Sequence, residues 1–498
     1  MERILLINPG QVYYKKTFRT CWPGSIGLPL GMLYAAAALE RERCRVKVLD
    51  CLVSDHTILE KRGDHFFYGI PDNKLRTLVK EYKPDIVAIG SQFMTQEENV
   101  SRTAKLVKDI DTSIQVIVGG ANTGCRYKYL LEQGDIDIAI KGESEQAISN
   151  LIKYFRGNIK LESISGIAYR RENQVCETVG PEYIDNLDGL PLPAYHLVDM
   201  EAYFNLYKKG VYARDRNVKR VIPMVTSRGC PYRCIFCSVS HSMGKRWRAH
   251  SAEYTSRHII AVSKRYNVRH IHFEDDNLLM DIKRFMAILD TLNKESITWD
   301  TPNGIRVDPR IDEDILKRFK QCGCKYLTIG IESGDQEVLD RVIKKDITLE
   351  DVTAFAKKCK RIGLPLRAFF ILGFPGETIE SMYKTVAFAC FILKKYNVEI
   401  INHIATPIFG TELYDICRDN DYFASEVSPR TLSESTVPDG HCLIRTETFT
   451  AKDVESLSNS LTRKVYRRLF IRGLRYPLSS LRRIGNTYMF IRALRWLV

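Results

Sequence analysis

Along the first 160 residues, short apolar runs alternate with stretches of helical spacing. Arg3–Asn8, Val46–Leu49, Ile86–Ser91, Gln115–Gly119 and Ile136–Lys141 read as five strands. Leu30–Arg43, Lys74–Tyr82, Glu97–Ile110, Tyr127–Gln133 and Glu145–Phe155 read as the helices between and after them. Strands that are apolar throughout and separated by helices predict a parallel sheet covered on both faces, an α/β fold. A second alternation runs from Arg220 to about Asp415. Its expected strands are Val221–Val225, Arg269–Phe273, Thr298–Asn303, Tyr326–Ile331, Leu366–Leu372 and Ile400–Ala405, with helices that include Asp281–Asn293 and Leu349–Ile362. Six such units predict an incomplete (β/α)6 barrel. Residues 161–220 read as a connector, with hairpin arms Ser165–Arg170 and Glu177–Tyr183 around Glu172-Asn173 and then an extended strap at Asn186–Pro193. The expected domains are therefore 1–160, 161–220, 221–415 and 416–498, the last carrying helices at Val454–Phe470 and around Met489–Leu497.

Both kinds of sheet place their ligands beyond the carboxyl ends of the strands. In the first alternation those ends read Asn8-Pro9-Gly10, Asp50, Ser91, Gly119-Gly120-Ala121 and Lys141-Gly142-Glu143. In the second they read Glu274-Asp275-Asp276-Asn277, Asn303-Gly304-Ile305-Arg306, Gly330-Ile331-Glu332-Ser333-Gly334 and Gly373-Phe374-Pro375-Gly376-Glu377-Thr378. Acids at such junctions also cap the helices that follow. Capping is the expectation for Asp276 and Glu377, and it suits Glu332 less, since a glycine lies two residues to either side. No G-x-G-x-x-G is present, which argues against a dinucleotide site.

Composition narrows the class. A chain of 498 residues, 45% apolar and 27% charged, predicts a soluble protein of two to four domains. The fourteen cysteines are scattered, as suits a reducing cytoplasm. The first residues read as a strand and not a signal peptide, and the longest uncharged run, Thr20–Leu39, is broken by Pro23, Gly24, Gly27, Pro29 and Gly31. No membrane span is expected. Of the net charge of +14, ten uncompensated Lys and Arg lie in 461–498, so the preceding 460 residues carry 64 basic against 60 acidic groups. Leu457, Leu461, Val465 and Leu469 line one face of that basic helix. Two readings are open: peripheral contact with the inner face of the membrane, or the solvated side of a helix docked on the barrel. Nucleic acid is not an expected partner, because no aromatic RNA-binding module accompanies the charge.

The chemistry concentrates in Cys230-Pro-Tyr-Arg-Cys234-Ile-Phe-Cys237. Three thiols spaced C-x3-C-x2-C on a short loop can hold three corners of an iron–sulfur cubane and leave the fourth iron open. A zinc site completed by His241 and a disulfide are the rival readings, although zinc prefers paired C-x2-C units and three thiols pair awkwardly. Cys322-Gly-Cys324, with one intervening residue, reads as packing.

The stretch Ser227-Arg228-Gly229-Cys230-Pro231-Tyr232-Arg233-Cys234-Ile235-Phe236-Cys237 resembles the cluster motif of radical S-adenosylmethionine (SAM) enzymes. Pro29-Leu30-Gly31, Val118-Gly119-Gly120 and Lys141-Gly142-Glu143-Ser144-Glu145 resemble the cobalamin-binding domain that precedes many such cores, which implies a flavodoxin-like first sheet. The resemblance spans about residues 1–415. It implies a 4Fe-4S cluster on Cys230, Cys234 and Cys237, and SAM held by Phe236, Glu274, Asp275, Asp276, Asn303, Arg306, Glu332, Ser333 and Gly373. It implies cobalamin at Asn8, Pro9, Asp50, Ser91, Gly119, Gly120, Gly142 and Glu143. The histidine-ligand signature D-x-H-x-x-G is missing from the first domain, since Asp55-His56 and Asp64-His65 have the wrong spacing, so cobalt is expected to carry no histidine. Methylation of an unactivated carbon in a small-molecule or lipid-like substrate is the implied reaction, with electrons from a donor such as flavodoxin or ferredoxin. The alternatives are a cyclase or oxidase of the same type, or a cobalamin or redox sensor without turnover.

Overall fold

The computed structural model describes residues 1–14, 26–172, 174–208, 220–436 and 440–475. The chain divides into two compact units. One comprises Met1–Tyr203, Arg228–Pro231 and Ser238–His250, and the other Phe204–Ser227, Tyr232–Cys237 and the chain from Ser251 on.

The first unit is built on five parallel strands: β1 (Arg3–Asn8), β2 (Arg45–Asp50), β3 (Ile86–Gly90), β4 (Gln115–Gly119) and β5 (Ile138–Ile140). Their order is β2-β1-β3-β4-β5, the flavodoxin-like order expected of the fold. The apolar runs explain the placement: Ile4–Ile7, Val87, Ile89, Val116 and Val118 are buried, as strands covered on both faces require. Helices Leu30–Arg41, Asp72–Tyr82, Glu97–Ile110, Ala121–Glu132 and Ser144–Phe155 follow the strands. The fourth begins at Ala121 and not near Tyr127. The Asn122 amide donates to the Ser91 carbonyl at 3.0 Å, a tertiary bond that recruits a weakly helical stretch.

Three elements depart from expectation. The hairpin arms are Ile167–Arg171 and Gln174–Glu177, and they extend the sheet antiparallel beyond β5 in place of forming a separate connector. Ile167 and Ala168 are fully buried against β5, which fixes the register. A meander of Gln11–Tyr14, His65–Gly69 and Ile58–Arg62 was not legible, because its exposed outer strand has no apolar alternation. Helix Met200–Lys208 lies in the span expected to be a connector, beyond the strap, and buries Tyr203, Phe204 and Tyr207.

The second unit holds six parallel strands in two groups of three. β6 (Val221–Met224), β7 (His270–Phe273) and β8 (Thr298–Asp300) form one group. β9 (Leu327–Glu332), β10 (Leu366–Leu372) and β11 (Glu399–Ile404) form the other. Isolated parallel bridges Trp299–Cys324 and Ile305–Ile329 link the groups, and among the described residues β6 and β11 do not pair. This is the open six-stranded barrel that the alternation predicts. Alternate residues of β10 face the helices: Leu366, Ala368, Phe370 and Leu372 are buried, whereas Arg367, Phe369 and Ile371 are half-buried on the other face. Between β7, β8 and the helices Ile282–Lys294 and Glu313–Gln321, Phe273, Phe285, Trp299 and Phe319 stack edge to face at 5.1–5.9 Å. Trp299 donates its indole N–H to the Cys322 carbonyl at 3.0 Å, which assigns the Cys322–Cys324 turn to packing.

Helix Ala451–Arg475 docks on the second unit. Leu457, Leu461 and Val465 are buried, and the Asn402 amide donates to Ser458 Oγ at 2.8 Å. The apolar face named as a membrane candidate is therefore covered over these residues, while Met489–Leu497 lies outside the described residues. Among the described residues no helix is long and apolar enough to cross a membrane.

Among the described residues Trp299 is the largest fully buried side chain, and Trp299→Ala is expected to destabilise the second unit by about 3–5 kcal/mol, read from chemical unfolding.

Candidate active site

In the second unit the middle of the cysteine loop is pinned by backbone: the Ile235 N–H donates to Ile343 O at 3.3 Å, and Ile235 O accepts from Leu413 N–H at 2.9 Å. Cys230, Cys234 and Cys237 are all partly exposed. The Phe236 ring lies 5.7 Å from that of Phe374 and 6.0 Å from Lys345 Nζ. Lys345 pairs with Glu332 at 2.8 Å, both side chains nearly buried. Burial disfavours the ammonium, but the Glu332 carboxylate and the Cys234 thiolate outweigh it and raise the Lys345 pKa.

The backbone aims this pair. Glu332 has φ +73°, and the β9–β10 register shifts between Gly330 and Glu332, a bulge of the kind that redirects a side chain. A Cβ at Gly330 would fall 2.5 Å from Glu332 Oε1 and 2.9 Å from Lys345 Nζ, so a side chain there would displace the ion pair. Lys345 follows a π-helical turn, Val338–Ile343, with Lys344 and Asp346 in the left-handed region on either side. The Arg306 guanidinium lies 3.6 Å from the centroid of the Tyr232 ring and pairs with Asp346 at 3.1 Å. Tyr232, Phe236, Arg306, Glu332 and Lys345 thus gather in one unit. Tyr232 and Lys345 were not singled out from sequence, where they are one aromatic and one lysine among many.

Asp275 and Glu377 are held inward, whereas Glu274 and Asp276 are partly exposed. Asp275 is 2% exposed and accepts from Thr226 N–H, Thr226 Oγ and Ser227 Oγ at 3.0, 2.7 and 2.6 Å, while burial pushes its pKa up. Its second oxygen has no hydrogen-bond partner. Asn303 donates to the Glu274 carbonyl at 3.3 Å, and buried Ser333 shares a hydrogen bond with Thr385 at 2.9 Å. The capping expectation needs correction. Asp281, not Asp276, caps helix Ile282–Lys294, and Thr378, not Glu377, caps Ile379–Tyr396. Glu377 is fully buried and accepts the N–H groups of Gly373 and Phe374 at 2.8 Å each, which closes the turn after β10.

A buried set on β7 and β8 was also missed. His270 Nε2 lies 3.0 Å from Asp300 Oδ2, His270 Nδ1 lies 2.7 Å from Thr298 Oγ, and His272 bonds the other Asp300 oxygen. Against burial, the two imidazoles hold the Asp300 carboxyl well below the usual range, and burial lowers the His270 pKa. Three metal-competent groups meet here. Each carboxylate oxygen already faces an imidazole nitrogen, so hydrogen bonds account for the set. The alternation His270-Ile271-His272 on a strand was the available signal.

In the first unit, Asn8 donates to Asp50 at 2.9 Å, and Asp50 also accepts from Leu52 N–H at 2.8 Å and from the Tyr203 hydroxyl. Burial pushes the Asp50 pKa up. Pro9 is buried beside Asn8. The Ser91 N–H donates to Gly119 O at 2.7 Å, and Asn122 donates to Ser91 Oγ at 3.0 Å. Gly120 abuts Ser91, and Gly142 abuts Pro181. Asn122 Oδ1 and Thr123 Oγ, both buried at this helix start, have no partner. Orphaned polar atoms at a strand-end crevice fit a large polar ligand. Glu143 differs from its neighbours: its carboxylate, 1% exposed, lies between Arg228 and Arg248.

These arrangements fit the implied groups: partly exposed thiols for a cluster, an aromatic and charged set at barrel strand ends for SAM, and unpaired polar atoms for cobalamin. Comparison with known proteins agrees. Residues 224–389 match the radical SAM superfamily, and residues 23–152 match the B12 binding domain. Cytidylyl-2-hydroxyethylphosphonate methyltransferase from Streptomyces wedmorensis is 29% identical over 447 residues, covering 84% of this chain and 82% of that one. Anaerobic magnesium-protoporphyrin IX monomethyl ester cyclase from Cereibacter sphaeroides is 22% identical, covering 78% of this chain and 59% of that one. The cobalamin-dependent S-adenosylmethionine radical enzyme OxsB, solved with aqua-cobalamin and SAM, shares the fold at TM-score 0.70 and 17% identity, covering 100% of this chain and 70% of that one. The chain is a cobalamin-dependent radical SAM enzyme of the group that includes methyltransferases. Its cofactors are a 4Fe-4S cluster, SAM and cobalamin.

Burial raises the Glu377 pKa from 4.5 to about 7, against its two backbone donors. The folded state therefore holds a proton that the unfolded chain releases, and this stabilisation is complete below pH 4.5 and lost as pH rises to about 7. Relative to Glu377→Gln, the wild type should lose about 3 kcal/mol of stability across that window, read from unfolding of both proteins at each pH.

Proposed function

We propose that this enzyme methylates an unactivated carbon of a small-molecule or lipid-like substrate. The observation that carries the reading is the convergence of Phe236 with Lys345 and Glu332, and of Tyr232 with Arg306, at the barrel strand ends, on the loop that also carries Cys234. When bound, the cluster, SAM and cobalamin supply the electron transfer and the methyl-carrying chemistry.

The chain's part is to hold and orient. Cys230, Cys234 and Cys237 would ligate the cluster. Phe236 offers a ring face to adenine, and Glu332, Arg306, Glu274 and Asp276 offer charges to the amino, carboxylate and ribose groups of SAM. Asn303 and Gly373 line the same strand ends, while Asp275 and Ser333, being buried, support them. Lys345 holds the Glu332 carboxylate in one place in a nearly buried position, where it can accept hydrogen bonds. Asn8, Pro9, Asp50, Ser91, Gly119, Gly120 and Gly142 would line the cobalamin crevice. A reductant of the flavodoxin or ferredoxin class and peripheral membrane contact through the basic tail are parts of this proposal.

A relative named for ring closure, covering 78% of this chain, supports a second reading in which the substrate is cyclised. The test is anaerobic reconstitution with iron, sulfide and cobalamin, followed by incubation with methyl-labelled SAM and cell extract. Labelled product heavier by one CH₂ unit is expected, and Cys234→Ala should abolish it. Full turnover by Cys234→Ala would overturn the reading, and 5′-deoxyadenosine formed without mass gain would select ring closure.

A further inference from the structure

Four charged side chains of the first unit form a closed ionic set. Arg228 and Arg248 are each 5% exposed, Glu143 is 6% and Glu145 is 5%. Arg228 contacts Glu145 Oε1 at 2.6 Å and Glu143 Oε1 at 3.3 Å. Arg248 contacts Glu143 Oε1 at 2.8 Å and Oε2 at 3.0 Å. Backbone completes it: Arg248 donates to Ile184 O and Met243 O at 2.7 Å each, and the Ile184 N–H donates to Glu143 Oε2 at 2.7 Å. The Tyr34 ring lies 5.2 Å from the Arg228 guanidinium. With two acids and two bases the set is neutral, and removing one carboxylate would strand a buried guanidinium.

We infer that Glu143 and Glu145 are positioning residues that, through Arg228 and Arg248, fix the backbone presenting Cys230. Arg228 precedes Cys230 by two residues. Gly229 between them has φ +81°, and a Cβ there would lie 2.4 Å from Arg246 O. The Cys230 N–H donates to Gly244 O at 3.3 Å, so residues 228–230 and 243–248 are locked together at both Arg228 and Arg248. Glu143 and Glu145, just after β5 and at the start of helix Ser144–Phe155, tie that pair of segments to the strand ends of the sheet. The carboxylates touch no reacting group in this role. They act by holding a thiolate-bearing backbone in one place, as outer-shell partners of metal ligands do.

The inference rests on Cys230 being a cluster ligand, and the experiment separates the two. Glu143→Gln and Glu145→Gln are made in the full chain and reconstituted beside the wild type and Cys230→Ala. Folding is followed by circular dichroism, cobalamin binding by absorbance titration, and the reduced cluster by electron paramagnetic resonance with and without SAM. Both variants should fold with lowered stability and bind cobalamin as the wild type does. Their iron should be held about tenfold more weakly against a chelator, and the SAM-induced spectral change should be lost. Wild-type iron retention and spectra in both variants would overturn the inference. So would weakened cobalamin binding with the cluster spectrum intact, which would make Glu143 a cobalamin contact. If Glu143→Gln does not fold, Glu145→Gln decides, since it keeps the Glu143–Arg248 pair. A cluster unchanged in Cys230→Ala would instead remove the ligand assignment on which the inference stands.

Discussion

A carboxylate taken out of water must find donors or a cation, and this molecule buries acids at the ends of its parallel strands again and again. Asp50, Glu143, Asp275, Glu332 and Glu377 are each no more than 6% exposed. Each has a different answer to desolvation. Asp50 uses a phenol, an amide and a backbone N–H, and Asp275 uses two hydroxyls and a backbone N–H. Glu377 uses two backbone N–H groups, Glu332 a lysine and Glu143 two arginines. Where the donors are neutral, as at Asp50, Asp275 and Glu377, burial raises the pKa.

These partnerships organise the site. A strand end that carries a satisfied acid is rigid, because moving it would expose an unpaired charge or a stranded donor. The ligand-facing groups are then mounted on fixed supports: Glu332 by its bulge and Lys345, Phe236 by its contact with Phe374, Arg306 by Tyr232 and Asp346. Radical chemistry places a premium on such rigidity, since a reactive species must meet one atom and no other.

The basic character of the chain has a separate physical origin. Six of the ten groups of its excess, from Arg463 to Arg475, sit on a helix whose apolar face is covered by the barrel as far as the described side chains extend. That docking accounts for the periodicity of Leu457, Leu461 and Val465, and Arg463, Lys464 and Arg467 occupy the solvated side. The His270–His272–Asp300 set shows the same economy inside the barrel, where polar side chains on one face of neighbouring strands satisfy one another.

Much was legible in advance. Strand-by-strand alternation marked both sheets, because parallel strands must be apolar on both faces, and helix Leu349–Ile362 is found with its expected bounds. C-x3-C-x2-C spacing and the glycine-flanked Glu332 pointed to chemistry, because both are local patterns that ordinary packing does not demand. Which acids face a ligand and which support the backbone was not legible, as Asp275 and Asp276 look alike in a row of letters. Nor was the pairing of Glu143 with arginines more than eighty residues away, or of Lys345 with Glu332 across a π-helical turn. Local periodicity specifies elements, whereas desolvation of a charge is decided by whatever the completed fold brings within about 3 Å, and that distance exists only in three dimensions.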